Sequence, residues 1–199
     1  MSGLDRHMEN KLKLCKFLLQ KYADIINERE KRTIGEIKNL VDGTDLSIQS
    51  LAQDLMGDSY SFESDYEKAL RESYKFVVGE INFVDVDLNL NYWMSPKEVL
   101  EQKVADDEDF AVFLCSLMKA LGDDKAEVII AELNNLRTHA FVTTEVGEKF
   151  LLLDPSQGKD FGEFFGAKEE VIAKYSFNGN KIKTFLYKFS SEKYEQFLE

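Results

Sequence analysis

The chain has 199 residues, 44% of them apolar and 12% aromatic, which suits one packed core and not a disordered acceptor. A net charge of −12 and a pI near 4.8 lack the clustered Lys and Arg that nucleic acid and anionic membranes require. No apolar run spans a bilayer, no export signal opens the chain, and Cys15 and Cys115 make neither a disulfide framework nor a metal-ligand set, so a cytoplasmic protein without a cofactor is expected.

Leu12, Leu14, Phe17, Leu18, Tyr22, Ile25 and Ile26 recur at helical spacing, which predicts an amphipathic helix over residues 8–30. A second helix is expected over 32–41, a third from Ser47 to Met56 with its stop near Gly57, and a fourth from Glu63 to Tyr74. Residues 1–75 then form a helical extension on a core spanning 76–199. The extension either offers a partner surface or cap, or simply enlarges the core.

Residues 83–89 alternate apolar and polar side chains, as in a half-buried strand. Asp85, Asp87 and Asn89 have the opening spacing of a calcium loop. Leu90 stands where that loop needs Gly and Pro96 where it needs Glu, which excludes it. Ser95-Pro96-Lys97-Glu98 is a helix start: Ser caps, Pro takes the first turn, and Glu reaches back.

From Phe110 to Leu121, Phe110, Phe113, Leu114, Leu117, Met118 and Leu121 define one apolar helix face, and Gly122 ends it. Asp107, at the tip, points to the side of that face; Glu108 and Asp109 point away. The positive end of the helix stabilises a carboxylate there, and Asp is also a good cap. His139, Phe141 and Thr143 share one face of a strand. Phe150, Leu152 and Asp154 share one face of the next. A loop symmetric about Val146 and Gly147 sets His139 directly opposite Asp154, the geometry in which a carboxylate orients an imidazole. Flanked by two carboxylates, His139 is expected to have a raised pKa. A hairpin at Asn178-Gly179-Asn180 should join 175–177 to 182–187, and a short helix from Ser191 should end the chain. Both cysteines are expected to be buried packing residues.

Three segments together carry a resemblance. Asp106-Asp107-Glu108-Asp109-Phe110-Ala111, His139-Ala140-Phe141-Val142 and Leu153-Asp154-Pro155 resemble, in order and spacing, the core of the transglutaminase-like superfamily, the papain-related Cys-His-Asp enzymes. The similarity covers roughly residues 90–158. It implies an α+β fold in which the nucleophile-position helix packs on an antiparallel sheet. It further implies that His139 is a general base and Asp154 its orienter. Two positions depart: Ala105 replaces the family's Gly, and Asp107 replaces its cysteine. Cys115 lies eight residues along the helix, about 12 Å away, and cannot substitute.

Three readings follow. Asp107 caps the helix and pairs with His139 in a relic cleft that binds protein or peptide without catalysis. Alternatively, Asp107, His139 and Asp154 hydrolyse amide bonds by acid–base chemistry. In the third, the same three residues hold a divalent metal, which no His-rich spacing supports. The first is preferred.

Overall fold

The computed structural model describes residues 3–57, 59–85 and 90–197. Four helices come first: α1 (Gly3–Arg29), α2 (Ile34–Lys38), α3 (Leu46–Met56) and α4 (Phe62–Glu80). Each start has a local cause. Thr33 and Glu36 cap α2 reciprocally, and the Asp45 carboxylate accepts the backbone N–H groups of Ser47 and Ile48 to open α3. Helix α4 runs unbroken through residue 75, and Tyr66, Leu70, Tyr74 and Val77 along it are all buried.

Strand β1 (Asn82–Phe83) pairs in parallel with β2 (Val104–Ala105), on either side of α5 (Pro96–Gln102). Of the strand expected over 83–89, Val84 and Asp85 are not in a strand. Only its first residue lies in β1, and residues 86–89 fall outside the described residues. Helix α5 starts with the full Ser95–Glu98 capping box and Pro96 in its first turn.

Helix α6 (Asp107–Ala120) is the centre of the molecule. Residues Asp109 to Met118 along it are all buried. They pack against Ile48 and Ala52 of α3, Leu70 and Val77 of α4, and the sheet face formed by Val128, Ile130, Ala140 and Val142. Each such Leu or Phe contributes about 1.5–3 kcal/mol by leaving water. The turn at residues 42–45 lies so close to α6 that a Cβ on Gly43 would meet Lys119 Cβ at 2.7 Å. Ser116 Oγ accepts the Asp42 N–H at 3.0 Å and fixes that approach.

The sheet follows: β3 (Glu127–Leu133), β4 (Thr138–Val146), β5 (Lys149–Leu153), β6 (Phe165–Gly166), then α7 (Lys168–Lys174), β7 (Ile182–Phe189) and β8 (Tyr194–Gln196). Its order is β6-β5-β4-β3-β7-β8, antiparallel throughout. One face packs on α6. The other carries a smaller cluster of Ile129, Ala131, Phe141, Leu152 and Tyr175 beneath α7. The α+β architecture expected from the sequence is the one observed.

Three local expectations are corrected. Residues 175–177 form no strand with β7. Tyr175 instead caps α7, one bridge from Phe177 to Asn180 closes a tight turn, and β7 pairs with β3. Asn178 and Gly179, both at positive φ, give that turn the twist of a type I′ hairpin. The helix expected from Ser191 is strand β8. Ser190 Oγ accepts the N–H groups of Glu192 and Lys193, which turns the chain back so that Tyr194 pairs with Phe189. Cys115 is buried, as expected, but Cys15 is exposed, because α1 projects from the body. Helices α3 and α4 enlarge the core, whereas between residues 7 and 29 of α1 only Ala23 is buried.

Candidate active site

The tip of α6 meets the start of β4 and the end of β5. Asp106, not Asp107, is the helix cap: its side chain accepts the Asp109 N–H at 3.0 Å. That frees the first-turn residue Asp107 to reach the sheet. Its Oδ2 lies 2.7 Å from His139 Nδ1 and accepts the Ala140 N–H at 2.9 Å. On the other side of the ring, His139 Nε2 lies 3.0 Å from Asp154 Oδ2. The structure thus brings together all three residues singled out from the sequence.

The register that achieves this differs from the expected one by two residues. The turn between β4 and β5 consists of Gly147 and Glu148 alone, with Val146 paired to Lys149 and Val142 to Leu153. Gly147 takes the positive φ that a Gly-first two-residue turn requires. His139 and Asp154 are therefore not directly opposed. They are diagonal neighbours. A shift of two preserves the face of every side chain, so the pair still meets.

Asp154 is held by more groups than the sequence suggested. Its Oδ2 accepts the Tyr175 hydroxyl and the Gln157 amide, each at 2.7 Å, and its Oδ1 accepts the Ser156 hydroxyl at 2.5 Å and the Ser156 N–H at 3.2 Å. Ser156 and Gln157 were readable in principle, because Asp-Pro opens a short helical turn with Asp as its cap. Tyr175 left no such signal. Phe177 lies flat on the imidazole, with ring centroids 3.8 Å apart and planes inclined by 17°.

The electrostatics follow from burial and pairing. Burial alone would lower the His139 pKa. The hydrogen bonds and charges of Asp107 and Asp154 outweigh it and lift the pKa to about 9. For Asp107 and Asp154, burial works toward neutrality, but the bonds to His139 win and hold both carboxyls below their ordinary range. The histidine is thus an imidazolium clamped between two carboxylates, and its stack on Phe177 adds a cation–π contact.

Asp109 does not point away from the body. It is 4% exposed, and its Oδ1 accepts the Met94 N–H at 2.7 Å. Burial, then the charge of Asp106, pushes its pKa up to about 8. Glu108 goes up to about 9, first through burial and then through the charges of Asp107 and Asp106. Carboxylate oxygens of Asp106, Asp107 and Glu108 lie within 4.8 Å of one another. Among the described residues this is the grouping with the spacing of a metal-ligand set; it does not include His139 or Asp154. Of these oxygens, those of Asp106 already cap the helix and those of Asp107 already hold His139 and the Ala140 N–H.

A cleft of about 90 Å³ opens over Asp107 and His139, and the exposed Arg137–Asp85 ion pair (3.2 Å) borders it. A wider groove of about 490 Å³ continues past Phe83, Phe177 and Asn178 to Ser156, Gln157 and Lys159. Cys115 contributes nothing to either: it is wholly buried, and burial pushes its thiol well above the ordinary range.

Helix tip, His strand and Asp turn in this order on one sheet match known folds. A family model for the CEP76 peptidase-like domain matches residues 91–181. Among solved structures, Legionella pneumophila LapG is similar with a TM-score of 0.54 and 17% identity, covering 91% of this chain and 87% of that one. The EGTA-treated form of Legionella pneumophila LapG gives 0.53 and 17%, covering 91% and 84%. The chain has the transglutaminase-like, papain-related fold. No curated protein gives a significant match. No helix among the described residues is long and apolar enough to cross a membrane.

Proposed function

We propose that this transglutaminase-like domain is a non-catalytic pseudoenzyme that binds protein or peptide in the cleft at the tip of α6. The observation that carries the reading is the occupation of both imidazole nitrogens of His139 by carboxylates, at 2.7 and 3.0 Å. A general base needs a ring nitrogen with a free lone pair directed at the nucleophile. With its pKa lifted to about 9, His139 keeps both protons at neutral pH and has none to accept. Asp107 stands at the nucleophile position, and a carboxylate that already accepts two hydrogen bonds attacks a carbonyl poorly. What remains is a binding surface. Phe83 and Phe177 give it apolar contact, while Ser156, Gln157 and Ser176 give it hydrogen-bonding groups. A match to a peptidase-like domain makes peptide the ligand class that such a groove suits.

One feature favours the alternative, amide hydrolysis by Asp107, His139 and Asp154. Glu108 stays protonated beside ionised Asp107, an arrangement that resembles an acid–base pair. A peptide library incubated with the protein separates the two, read by mass spectrometry for cleavage and by fluorescence polarisation for binding. The pseudoenzyme binds without cleaving, and Phe177→Ala lowers its affinity at least tenfold. Cleavage that Asp107→Asn abolishes would establish the hydrolase instead.

A further inference from the structure

A pocket of about 500 Å³ lies between the C-terminal half of α4 and the loop at residues 158–162 beyond β5. Three cations line it, Arg71 and Lys75 from the helix and Lys159 from the loop, against one carboxylate, Asp160. In a chain of net charge −12 such an excess is local. The walls are fixed. The Tyr74 hydroxyl donates to the Lys159 carbonyl at 3.0 Å and ties the loop to α4, and the Arg71 guanidinium lies 4.4 Å from the centre of the Phe161 ring. The carboxylates that now pair with Arg71 and Lys75 are Glu67 and Glu72, exposed neighbours on the same helix. Exposed pairs of this kind hold a cation weakly, so both side chains are free to turn to a ligand.

Two glycines keep the pocket open. Gly79 stands inside α4, where glycine weakens a helix relative to alanine. A Cβ on Gly79, or on Gly162 in the loop, would touch nothing within 4 Å, and neither residue takes a positive φ. Neither packing nor backbone conformation asks for glycine at these positions. Close approach of a ligand to the backbone does. Lys159 also lines the groove that runs past Phe83, Phe177 and Asn178, so the pocket adjoins the groove proposed for peptide.

We infer that this pocket takes a phosphoryl group carried on a serine or threonine of the bound peptide. For its carrier this rests on the peptide reading; for the phosphate, on the pocket's own residues. A phosphoryl group brings close to two negative charges and three acceptor oxygens, which Arg71, Lys75 and Lys159 together match. Arg offers a fork of N–H donors and Lys a compact charge. A carboxylate brings one charge and two oxygens, and Asp160 already offsets one of the three cations. A phosphorylated lipid would instead bring an acidic chain against an anionic membrane, which repels it.

Free phosphoserine titrated into the full chain, followed by phosphorus NMR, tests the pocket. One peptide sequence in serine, phosphoserine and glutamate versions, read by fluorescence polarisation, tests the carrier. Phosphoserine should bind. The phosphopeptide should bind about tenfold more tightly than its serine twin, and the glutamate version should gain much less. Lys75→Gln should remove the advantage and leave the affinity for the serine peptide unchanged. Gly79→Leu should do the same by filling the pocket without altering its charge, and neither change should lower the melting temperature. If the serine peptide binds but phosphoserine does not, or if serine and phosphoserine versions bind equally, the inference is overturned and the peptide reading stands. Phosphoserine bound with no peptide bound would overturn the carrier and the peptide reading together. A glutamate version equal to the phosphopeptide would overturn the choice of phosphate, and capture by phosphatidylinositol 4-phosphate vesicles without phosphopeptide binding would overturn the peptide in favour of a lipid.

Discussion

The two sides of the His139 ring are built differently. On one side Asp154 is 3% exposed, and five donors surround its carboxylate: the imidazole, the Tyr175 hydroxyl, the Gln157 amide, and the hydroxyl and N–H of Ser156. On the other side Asp107 has a side chain 19% exposed, at the mouth of a cleft, and its Oδ2 holds only the imidazole and the Ala140 N–H. The contrast separates what a catalytic frame needs from what it performs. The orienting side is a closed network whose every member is satisfied, and among the described residues no buried side-chain polar atom lacks a partner. The Asp107 side is open to the cleft, and on the proposed reading it binds without reacting.

Breaking the closed side should cost most. Asp154→Ala leaves the imidazolium, Tyr175, Gln157 and Ser156 without their common acceptor, and a loss of about 3–5 kcal/mol in urea unfolding is expected. A loss below 1 kcal/mol would show the network to be ornamental. Next comes pH. The folded-state pKa of His139 is raised to about 9, so its stabilising contribution is fully present below its unfolded value near 6.5 and fades as pH rises through 9. Glu108, raised to about 9, and Asp109, raised to about 8, push the same way, because each is more easily ionised in the unfolded chain. The melting temperature should therefore fall between pH 6.5 and pH 10, with His139 alone contributing about 3 kcal/mol. A flat or rising profile would contradict the clamp.

The open side should tolerate more. Asp107→Asn keeps an acceptor for one N–H but removes the charge, and a loss of about 1–2 kcal/mol is expected, with the His139 pKa moving down. Asp107→Cys sharpens the comparison further. With Cys15→Ser also in place, and with Cys115 too buried to react, iodoacetamide should alkylate the new thiol well below its ordinary pKa of about 8.5. An unreactive thiol would mean that the tip of α6 no longer aims at His139. The smallest effect belongs to a residue outside both networks. Leu136, 69% exposed in the turn before β4, should change stability by less than about 0.5 kcal/mol on replacement by Ala.

The same contrast explains what the sequence shows and what it hides. The body of α6 is legible because six apolar residues keep one period; His139 and Asp154 are legible because period-two faces bring them to one end of the sheet, and Asp107 because it stands at the tip of that helix. The register is not. A four-residue loop and a two-residue Gly147-Glu148 turn fit the same letters, and only the pairing of Val146 with Lys149 decides between them. Tyr175 and Phe177 are hidden for another reason. They approach from a turn after α7, and neither periodicity nor capping ties that segment to Asp154 or His139. The burial of Asp109 defeats a helical wheel because its partner, the Met94 N–H, comes from the loop before α5. At the C-terminus, the turn set by Ser190 overrides a stretch whose composition suits a helix.

The state of His139 decides whether this cleft can catalyse. Nitrogen-15 NMR of the imidazole, titrated from pH 5 to pH 10, reads it directly. The clamped imidazolium should show two protonated nitrogens at pH 7 and a midpoint near 9. A neutral ring at pH 7, with one nitrogen free of its proton, would return the base to the triad and contradict the assignment of a non-catalytic site.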